Sequence, residues 1–361
     1  MTKLRGLSVT VAGAGVLGLT AAVRLAQAGA RVTVCDPSPV ADNASGVAAG
    51  MLAPAFECAL DPEGAELFPY LVAARDLWPG LLQSIGAPEA ALDRSGAVMA
   101  GLEGEEARLS AAADRLDRLG VSPEPLSAKA LKTLHPLLSP GVIGGFRVRE
   151  DWRLHPGATL AALAAAVRAL GGAWSAEPLQ IVEGRPTLAG RPLEGPVVIA
   201  AGAEGAGLAQ FAPELGVLAP VKGQIVQFEA EPFAGPAVRG ASGYIAPQPT
   251  GAVAGATMEA GRSDRTVEAA TVQRLRAQAA RLFPHLADAP AAGRAGVRAA
   301  TPDGAPLVGA SRAGEGALLC VGARRNGWLV APLAAAMVTA MLAGEDPGPA
   351  AGAFDPRRFA V

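Results

Sequence analysis

The segment from residue 8 to residue 36 constrains the fold more strongly than any other part of the chain. Residues 9–11 form a short, apolar, β-branched run that predicts a buried strand. Residues 19–27 then favour a helix, and residues 31–35 a second strand. This order predicts a strand–helix–strand unit, in which the two strands lie parallel and the helix crosses between them.

Three glycines between the first strand and the helix have the spacing G-x-G-x-x-G. Gly13 permits a tight turn, Gly15 lets a pyrophosphate approach the backbone, and Gly18 lets the helix pack closely against the strand. The helix N-terminus offers unpaired N–H groups to the phosphates. Asp36 follows Gly18 by 18 residues, where an acid can bind ribose hydroxyls. A dinucleotide site is therefore favoured over an ordinary glycine-rich turn, even in a chain with 45 glycines.

Length and charge limit the remaining possibilities. A chain of 361 residues predicts two domains, or one large domain with an insertion. Half of the residues are hydrophobic, which is enough for a sizeable core. The net charge is −2 and no basic stripe is present, so nucleic acid is not an expected partner. No segment is apolar over the length that a membrane helix needs. The sequence leaves open whether the chain forms a homo-oligomer.

The cysteines and the N-terminus favour a cytoplasmic protein. Cys35, Cys58 and Cys320 lie far apart, so neither a disulfide framework nor a metal site is predicted. The N-terminal apolar run preceded by basic residues is similar to a secretory signal. However, Arg24 interrupts that run, and cleavage there would destroy the glycine loop.

Strand types divide the chain into two kinds of structure. Buried strands near the first segment and over residues 196–202 suit a parallel sheet. Three later segments instead have the alternating pattern of strands and are separated by Gly and Pro turns, which predicts an antiparallel sheet. These segments are residues 221–228, 238–246 and 252–258. Elements typical of a parallel sheet return near the C-terminus. We therefore expect an α/β, two-domain chain whose nucleotide domain is assembled from discontinuous segments around an inserted antiparallel sheet.

This division gives approximate domain bounds. We assign residues 1–85, 143–205 and 291–361 to the nucleotide domain. Residues 86–142 and 206–290 form the predicted substrate domain.

Three polar side chains are candidates for substrate binding. Arg298 and Arg325 each offer a planar, permanently charged guanidinium that matches a carboxylate. Tyr244 is one of two tyrosines, and its hydroxyl can donate to the same group. Each of these residues alone would more often have a structural role, so their motif context carries the functional interpretation.

In that context the chain resembles the D-amino-acid-oxidase (DAO) family of flavoproteins, most closely its glycine oxidases of the thiamine-thiazole pathway. The likeness runs nearly end to end. Beyond the glycine loop and Asp36, it rests on ASGVAAGMLAP at 44–54, PVVIAAG at 196–202, VKGQ at 221–224, YIAP with GATM at 244–258, RAATPDGAPLVG at 298–309 and RRNGWLVAP at 324–332.

The resemblance implies a Rossmann-like domain that binds FAD. It places the cofactor against Gly13, Gly15, Val16, Leu17, Gly18, Asp36, Pro37, Ala44, Ser45, Ala49, Gly50, Met51, Leu179, Ala323, Arg324, Arg325, Asn326, Gly327, Trp328 and Leu329. It also implies that Arg298 clamps the substrate carboxylate and that Tyr244 and Arg325 complete the catalytic set. Met51 and Met258 would shape the substrate pocket.

The implied activity is oxidative deamination of glycine or another small amino acid. In this family a hydride passes from the α-carbon to flavin N5, and oxygen then accepts the electrons. The products are hydrogen peroxide and an imine, which yields an oxo acid and ammonia. Such chemistry depends on orientation and on the cofactor more than on protein acids or bases.

Three positions depart from the glycine oxidase pattern. Ala323 stands where these enzymes usually have histidine, which leaves the substrate preference open. Ala299 replaces the usual proline after the clamp arginine. Relatives that oxidise sarcosine attach the flavin through a cysteine at the position of Gly296, so the resemblance implies non-covalent FAD here.

Other functions stay open at this point. The same fold could oxidise D-amino acids, imino acids similar to D-proline or N-methyl amino acids. It could also act as a dehydrogenase with another electron acceptor. A nicotinamide-dependent dehydrogenase and a non-catalytic flavin-binding partner belong to different classes. The family's oxidase modules for tRNA bases fit poorly, because the chain is slightly acidic.

Overall fold

The computed structural model of the chain describes residues 3–88, 91–231, 234–314 and 316–359, with the backbone alone for residues 62 and 63. The strands, numbered along the chain, are β1 (Ser8–Ala12), β2 (Arg31–Cys35), β3 (Met51–Leu52), β4 (Leu92–Asp93), β5 (Ala97–Leu102), β6 (Glu124–Ser127), β7 (Val142–Val148), β8 (Trp152–Leu154), β9 (Ala173–Ser175), β10 (Gln180–Val182), β11 (Arg185–Leu188), β12 (Arg191–Pro192), β13 (Val197–Ile199), β14 (Ala219–Glu229), β15 (Ala237–Gly240), β16 (Gly243–Gln248), β17 (Gly251–Gly255), β18 (Glu259–Ala260), β19 (Ala291–Ala300), β20 (Leu307–Ala310) and β21 (Ala317–Val321). The helices are α1 (Val16–Gln27), α2 (Ala44–Val47), α3 (Pro54–Leu60), α4 (Phe68–Asp76), α5 (Trp78–Ser84), α6 (Glu106–Arg118), α7 (Ala128–Leu134), α8 (Pro156–Ala169), α9 (Ala269–Leu282), α10 (Gly327–Leu342) and α11 (Ala351–Phe354).

A mostly parallel sheet contains both ends of the chain. Its strand order is β20-β21-β13-β1-β2-β9, and β20 pairs antiparallel at one edge. β1 lies between β2 and β13, so the chain leaves β1 toward one side and later returns on the other. Such a switch point opens a crevice at the carboxyl ends of the strands. β1, β2 and β13 end there at Ala12, Cys35 and Ile199.

Helices cover this sheet because its strands are apolar on both faces. Buried side chains of α1, α8 and α10 form one core cluster with β1 and β2. The apolar stretch over residues 329–343, which predicts a buried helix, lies in α10 as far as Leu342, with Pro332 inside the helix and Ala343 as its C-cap. No helix in the described ranges is long and apolar enough to cross a membrane.

A larger sheet forms the second layer of structure. Its main path is β18-β14-β17-β16-β15-β5-β7-β6, and β19 pairs along the length of β14. Most neighbours are antiparallel, whereas β15 and β5 run parallel. The buried side chains of α9 and α7 pack with β14, β15 and β17 in a separate core cluster. Together the two sheets confirm the expected α/β, two-domain architecture with a Rossmann-like part and a largely antiparallel sheet.

One predicted strand is in fact a hairpin. The sequence favoured a single strand over residues 238–246, but the structure has β15 and β16 with Gly240 opposite Gly243. The connecting pair is Ala241-Ser242, and Gly243 has φ +147°. Glycines at such tight turns allow backbone angles that other residues adopt only under strain. The turn is only two residues long, so a single strand prediction ran across the reversal of the chain.

The domain bounds stay a prediction, yet sheet membership differs from them at two places. β7 and β19 lie in the large sheet, whereas the sequence predicts residues 143–148 and 291–300 to belong to the nucleotide domain. β7 pairs with β5 over its length, and β19 pairs with β14 through ten residue pairs. The sheet to which a strand belongs depends on pairing with strands that are distant in sequence. Local sequence patterns do not predict that pairing.

Candidate active site

The glycine loop has the backbone geometry that its spacing predicted. Gly13 has φ +112°, and its N–H donates to the Cys35 carbonyl oxygen at 2.9 Å. A Cβ atom at Gly13 would lie 2.4 Å from the Ala200 carbonyl oxygen. Gly15 is the N-cap residue of α1. A Cβ at Gly18 would lie 1.9 Å from the Gly13 carbonyl oxygen, so this glycine serves close packing of helix and loop.

Asp36 and Ser45 hold the loop in place through their side chains. The Asp36 Oδ2 accepts the Ala14 N–H at 2.7 Å, and its Oδ1 accepts the Ser38 N–H at 2.8 Å. The Ser45 hydroxyl accepts the Val16 N–H at 3.0 Å, in the first turn of α1. Both side chains therefore stand at the N-terminus of α1, where phosphate and ribose groups of a dinucleotide would bind.

A first cavity of about 420 Å³ opens at this helix end. Most of the residues predicted to contact the cofactor line it: Gly13, Gly15, Val16, Leu17, Asp36, Pro37, Ala44, Ser45, Leu179, Ala323, Arg324, Arg325, Gly327 and Trp328. The wall also contains residues that the sequence had not singled out, among them Asn43, Ala200, Gly202 and Arg265. Small side chains and a helix N-terminus suit a long, flat, anionic cofactor, so these residues fit FAD.

Six predicted cofactor residues lie outside the first cavity. Ala49, Gly50, Met51 and Asn326 line a second, neighbouring cavity of about 480 Å³. Gly18 and Leu329 line neither cavity, and Leu329 is buried in the core around α1 and α10. A helix turns its residues through all directions, so only part of the run 323–329 can face a cofactor.

The two cavities adjoin each other. Ala44, Ala48, Arg298, Arg325 and Trp328 line both of them. A ligand in the second cavity would therefore meet the end of a cofactor in the first.

The second cavity brings together all of the predicted substrate residues. Tyr244, Arg298, Arg325, Met51 and Met258 line it, although they come from distant parts of the chain. Tyr244 projects from β16, and Arg298 projects from β19. Burial raises the pKa of the Tyr244 hydroxyl, so this group stays protonated and able to donate a hydrogen bond.

The guanidinium of Arg298 contacts a backbone carbonyl and a methionine sulfur. It lies over Gly223, where a Cβ atom would be 2.2 Å from Nη1. Nη1 donates to the Thr257 carbonyl oxygen at 3.3 Å and contacts the Met258 sulfur at 3.4 Å. Within the described ranges no carboxylate forms an ion pair with it. Burial lowers its pKa, although guanidinium remains charged at any ordinary pH.

Arg325 differs from Arg298, because acids of the chain already bind it. Its Nε lies 2.5 Å from the Glu57 Oε2, and its Nη2 donates to the Glu57 carbonyl oxygen at 2.7 Å. The same Nη2 lies 3.2 Å from the Asp61 Oδ2, which also binds Arg324 at 2.7 Å. These contacts hold the Arg325 side chain in the wall of the second cavity.

Two residues of this site were missed from the sequence. Glu57 on α3 and Arg239 on β15 line the second cavity, and they bind each other at 2.7 Å. The sequence contains a signal for both residues, since each is an isolated charge in an apolar segment. Glu57 is the sole charged residue between Asp42 and Asp61, and Arg239 is the sole charge in an apolar strand. A single charge in an apolar element must find a partner or a function.

Helix α3 holds Glu57 in position. Its N-terminal N–H groups at Ala55 and Phe56 each donate to the buried carboxylate of Asp151, both at 2.9 Å. Burial raises the pKa of Asp151 to about 7. Asp151 precedes β8, which pairs with β3 and thereby with Met51. One buried acid thus ties α3 to the strands that form the wall of the second cavity.

Known proteins are similar to this chain in both sequence and fold. Residues 8–341 match the family model described as FAD dependent oxidoreductase (DAO). A glycine oxidase of Pseudomonas putida is 31% identical over 360 residues, which cover 94% of this chain and 95% of that protein. The crystal structure of glycine oxidase from Geobacillus kaustophilus superimposes with a TM-score of 0.84 at 26% identity, covering 98% of this chain and 100% of that one.

A further structure agrees in fold alone. The iminodiacetate oxidase of Chelativorans sp. BNC1 has a TM-score of 0.84 at 24% identity, covering 97% of this chain and 98% of that one. The family match spans almost the whole chain, and the residues of the first cavity fit the cofactor that the family binds. The chain therefore belongs to the DAO family of FAD-dependent oxidoreductases.

Proposed function

We propose that this chain oxidises the amine of a small amino acid at its α-carbon, with oxygen as the final electron acceptor. The observation that carries the proposal is Arg298. A guanidinium without a carboxylate partner within the described ranges lines a cavity that adjoins the first cavity. Arg298 is half-buried, and a partly desolvated charge without a paired carboxylate favours an anionic ligand at this position. The glycine oxidases among its relatives support an amino acid as that ligand.

The chain's own residues would bind and orient the substrate. Arg298 would form a bidentate ion pair with the α-carboxylate, and the Tyr244 hydroxyl would donate to the same group. This holds the α-carbon at a fixed place near the shared wall, and orientation of this kind supplies much of the rate. FAD, when bound, accepts the two electrons and the hydrogen that leave the α-carbon.

The charge of the second cavity would also set the state of the substrate amine. Five arginines and one glutamate are the charged residues among the described ones that line this cavity: Arg108, Arg115, Arg239, Arg298, Arg325 and Glu57. Positive surroundings disfavour a second positive charge, so they lower the pKa of the bound amine. The amine then has a free lone pair, which oxidation to an imine requires. The overall reaction consumes amino acid, oxygen and water, and it yields oxo acid, ammonia and hydrogen peroxide.

The cofactor would be held without a covalent bond. Gly296 occupies the place where sarcosine-oxidising relatives carry a cysteine. A Cβ atom there would lie 3.0 Å from the Ala44 Cα, which leaves little room for a larger side chain. Precipitation with acid followed by centrifugation tests this point, because a non-covalent flavin stays in the supernatant.

An anaerobic absorbance experiment tests the activity. The purified holoenzyme is mixed without oxygen with glycine, N-methylglycine, D-alanine, D-aspartate or iminodiacetate. We expect at least one of these amines to bleach the visible flavin band, and admission of air to restore it. A flavin that no amine reduces would refute the proposed activity. Bleaching without recovery in air would instead indicate a dehydrogenase with another acceptor.

A further inference from the structure

The second cavity carries more positive charge than a single carboxylate requires. Among the described residues that line it, the charged ones are Arg108, Arg115, Arg239, Arg298, Arg325 and Glu57. A glycine molecule would neutralise one arginine through its carboxylate, and Glu57 neutralises one more. The lining residues would then keep an excess of positive charge beside the substrate.

Neighbouring acids compensate only some of these arginines. Arg108 pairs with Glu105 at 2.9 Å, outside the cavity wall. Arg325 has both Glu57 and Asp61 within ion-pair distance. Glu57 must therefore serve Arg239 as well as Arg325. Asp61 in turn also serves Arg324, so three guanidinium groups share two carboxylates and about one positive charge is left uncompensated.

Of the two arginines that share Glu57, Arg239 is the buried one, and its guanidinium has hydrogen-bond donors that the described residues do not use. The residue is 8% exposed, and its guanidinium carbon lies 5.3 Å from the centre of the Phe56 ring. Its Nη2 donates to the Glu57 Oε1 at 2.7 Å and contacts the Met51 sulfur at 3.5 Å. Its Nε is buried and has no hydrogen-bond partner within the described part of the chain. An unsatisfied buried donor of a charged group costs free energy unless a ligand reaches it.

The sheet register places Arg239 beside the substrate tyrosine. Arg239 on β15 lies directly opposite Tyr244 on β16, and Tyr244 lies opposite Gly255 on β17. Directly opposite residues project to the same face, with their Cβ atoms about 5 Å apart. Arg239 and Arg298 therefore reach the second cavity from the same sheet, with Tyr244 between them.

We propose that the substrate carries a second carboxylate, bound by Arg239, in addition to the α-carboxylate bound by Arg298. This inference rests on the proposed function, because it specifies the substrate class of the same site. Amines that bear two carboxylates, such as N-carboxymethylglycine or aspartate, have this chemistry. A purely structural role would leave Arg239 with one oxygen of Glu57, whose other oxygen binds Arg325, and with its Nε donor unused within the described part of the chain.

Binding of unreactive anions tests the inference apart from catalysis. Diglycolate has two carboxylates, methoxyacetate has one, and neither contains an amine that could be oxidised. Titration calorimetry on the holoenzyme should show that diglycolate binds more tightly, on the order of 10- to 100-fold. Arg239→Met should reduce this preference to about threefold or less, whereas Arg239→Lys should keep part of it.

Arg118→Met is the matched control. Arg118 is an exposed residue of α6 that lines neither cavity, so its removal should keep the preference for diglycolate. Flavin content and thermal midpoints of all variants show that they are folded. If Arg239→Met does not fold, Arg239→Gln replaces it.

The outcomes separate this inference from the proposed function. Equal affinities for the two anions, or a preference that survives Arg239→Met, would overturn the second-carboxylate site while leaving oxidation of monocarboxylic amines intact. Steady-state kinetics provide a second test. The quantity measured is the ratio of kcat/KM for iminodiacetate to kcat/KM for N-methylglycine. We expect this ratio to exceed one and to fall in Arg239→Met.

Discussion

Gly13 has no room for any side chain. Its φ of +112° and the 2.4 Å distance from a Cβ atom to the Ala200 carbonyl oxygen both exclude larger residues. We expect Gly13→Val to displace the loop from β13 and to abolish retention of FAD. Flavin absorbance per protein after gel filtration measures this. Gly157→Val, at a glycine with open space around its Cβ, is the control. A yellow Gly13→Val protein would contradict the pyrophosphate role.

Arg298 is predicted to act on substrate affinity and to leave the cofactor in place. Arg298→Ala should retain FAD, since the glycine loop is unaffected. It should raise KM for amino acids by roughly 100-fold or more, because the substrate carboxylate would lose its charge partner in a partly desolvated cavity. Steady-state oxygen consumption measures KM, and Arg298→Lys serves as the variant that keeps the charge. An unchanged KM would refute the carboxylate clamp.

His135 gives the protein a pH-dependent stability. Burial lowers the pKa of its imidazole to about 4 from the usual 6.5. Between these values the unfolded chain binds a proton that the folded chain does not bind. Stability therefore decreases as pH falls from about 6.5 toward 4. We expect the wild type to lose about 2 kcal/mol more than His135→Gln between pH 7 and pH 5. Urea unfolding at both pH values measures this, and parallel pH profiles would refute it.

At the scale of secondary-structure elements, α3 depends on a single buried acid. Asp151→Ala would leave the buried N–H groups of Ala55 and Phe56 without their acceptor. We expect a loss of stability on the order of 3 kcal/mol. KM should also rise, because Glu57 lies in the same short helix. Asp151→Asn keeps one acceptor and should fall between wild type and Asp151→Ala. Thermal midpoints and oxygen consumption measure both effects, and an Asp151→Ala protein as stable as wild type would contradict the prediction.

The large sheet also positions functional side chains by its register. β19 pairs with β14 along ten residues, which puts Arg298 beside the strand that contains Gly223. Alternate residues of a strand face the same side, so Arg294, Gly296 and Arg298 share one face. A one-residue slip of β19 would turn Arg298 away from the second cavity. The long ladder explains how one guanidinium can be held at a fixed place on a sheet edge.

At the scale of the whole molecule, bound FAD should stabilise the fold. The first cavity is lined by segments that are far apart in sequence, from residue 12 to residue 328. A ligand at a thousandfold excess over its Kd contributes about 4 kcal/mol. Removal of FAD should therefore lower the thermal midpoint by roughly 5 °C. Added FAD should restore the midpoint, whereas riboflavin, which has no pyrophosphate, should not. Identical midpoints for apoprotein and holoenzyme would contradict this prediction.

The local sequence determined the cofactor half of the molecule. The turn at Gly13, the helix start at Gly15 and the acid at Asp36 are set by backbone sterics and by spacing along one continuous segment. Such features need no distant partner. They predicted a dinucleotide site, whereas the DAO family and FAD were implied by the resemblance of the whole chain; both are confirmed, and so is the α/β two-domain fold. The individual contacts with substrate and flavin stay predictions.

The tertiary structure alone decided which charges meet in the second cavity. Glu57, Arg239 and Arg325 lie far apart in the chain, and strand pairing together with the docking of α3 brings them into one ion-pair network. The same long-range pairing placed β7 and β19 in the large sheet and turned Leu329 into the core. Sequence periodicity reports whether a residue is buried, but it does not report its neighbours. The physical reason is that an ion pair depends on distance in space, and only the folded chain defines that distance.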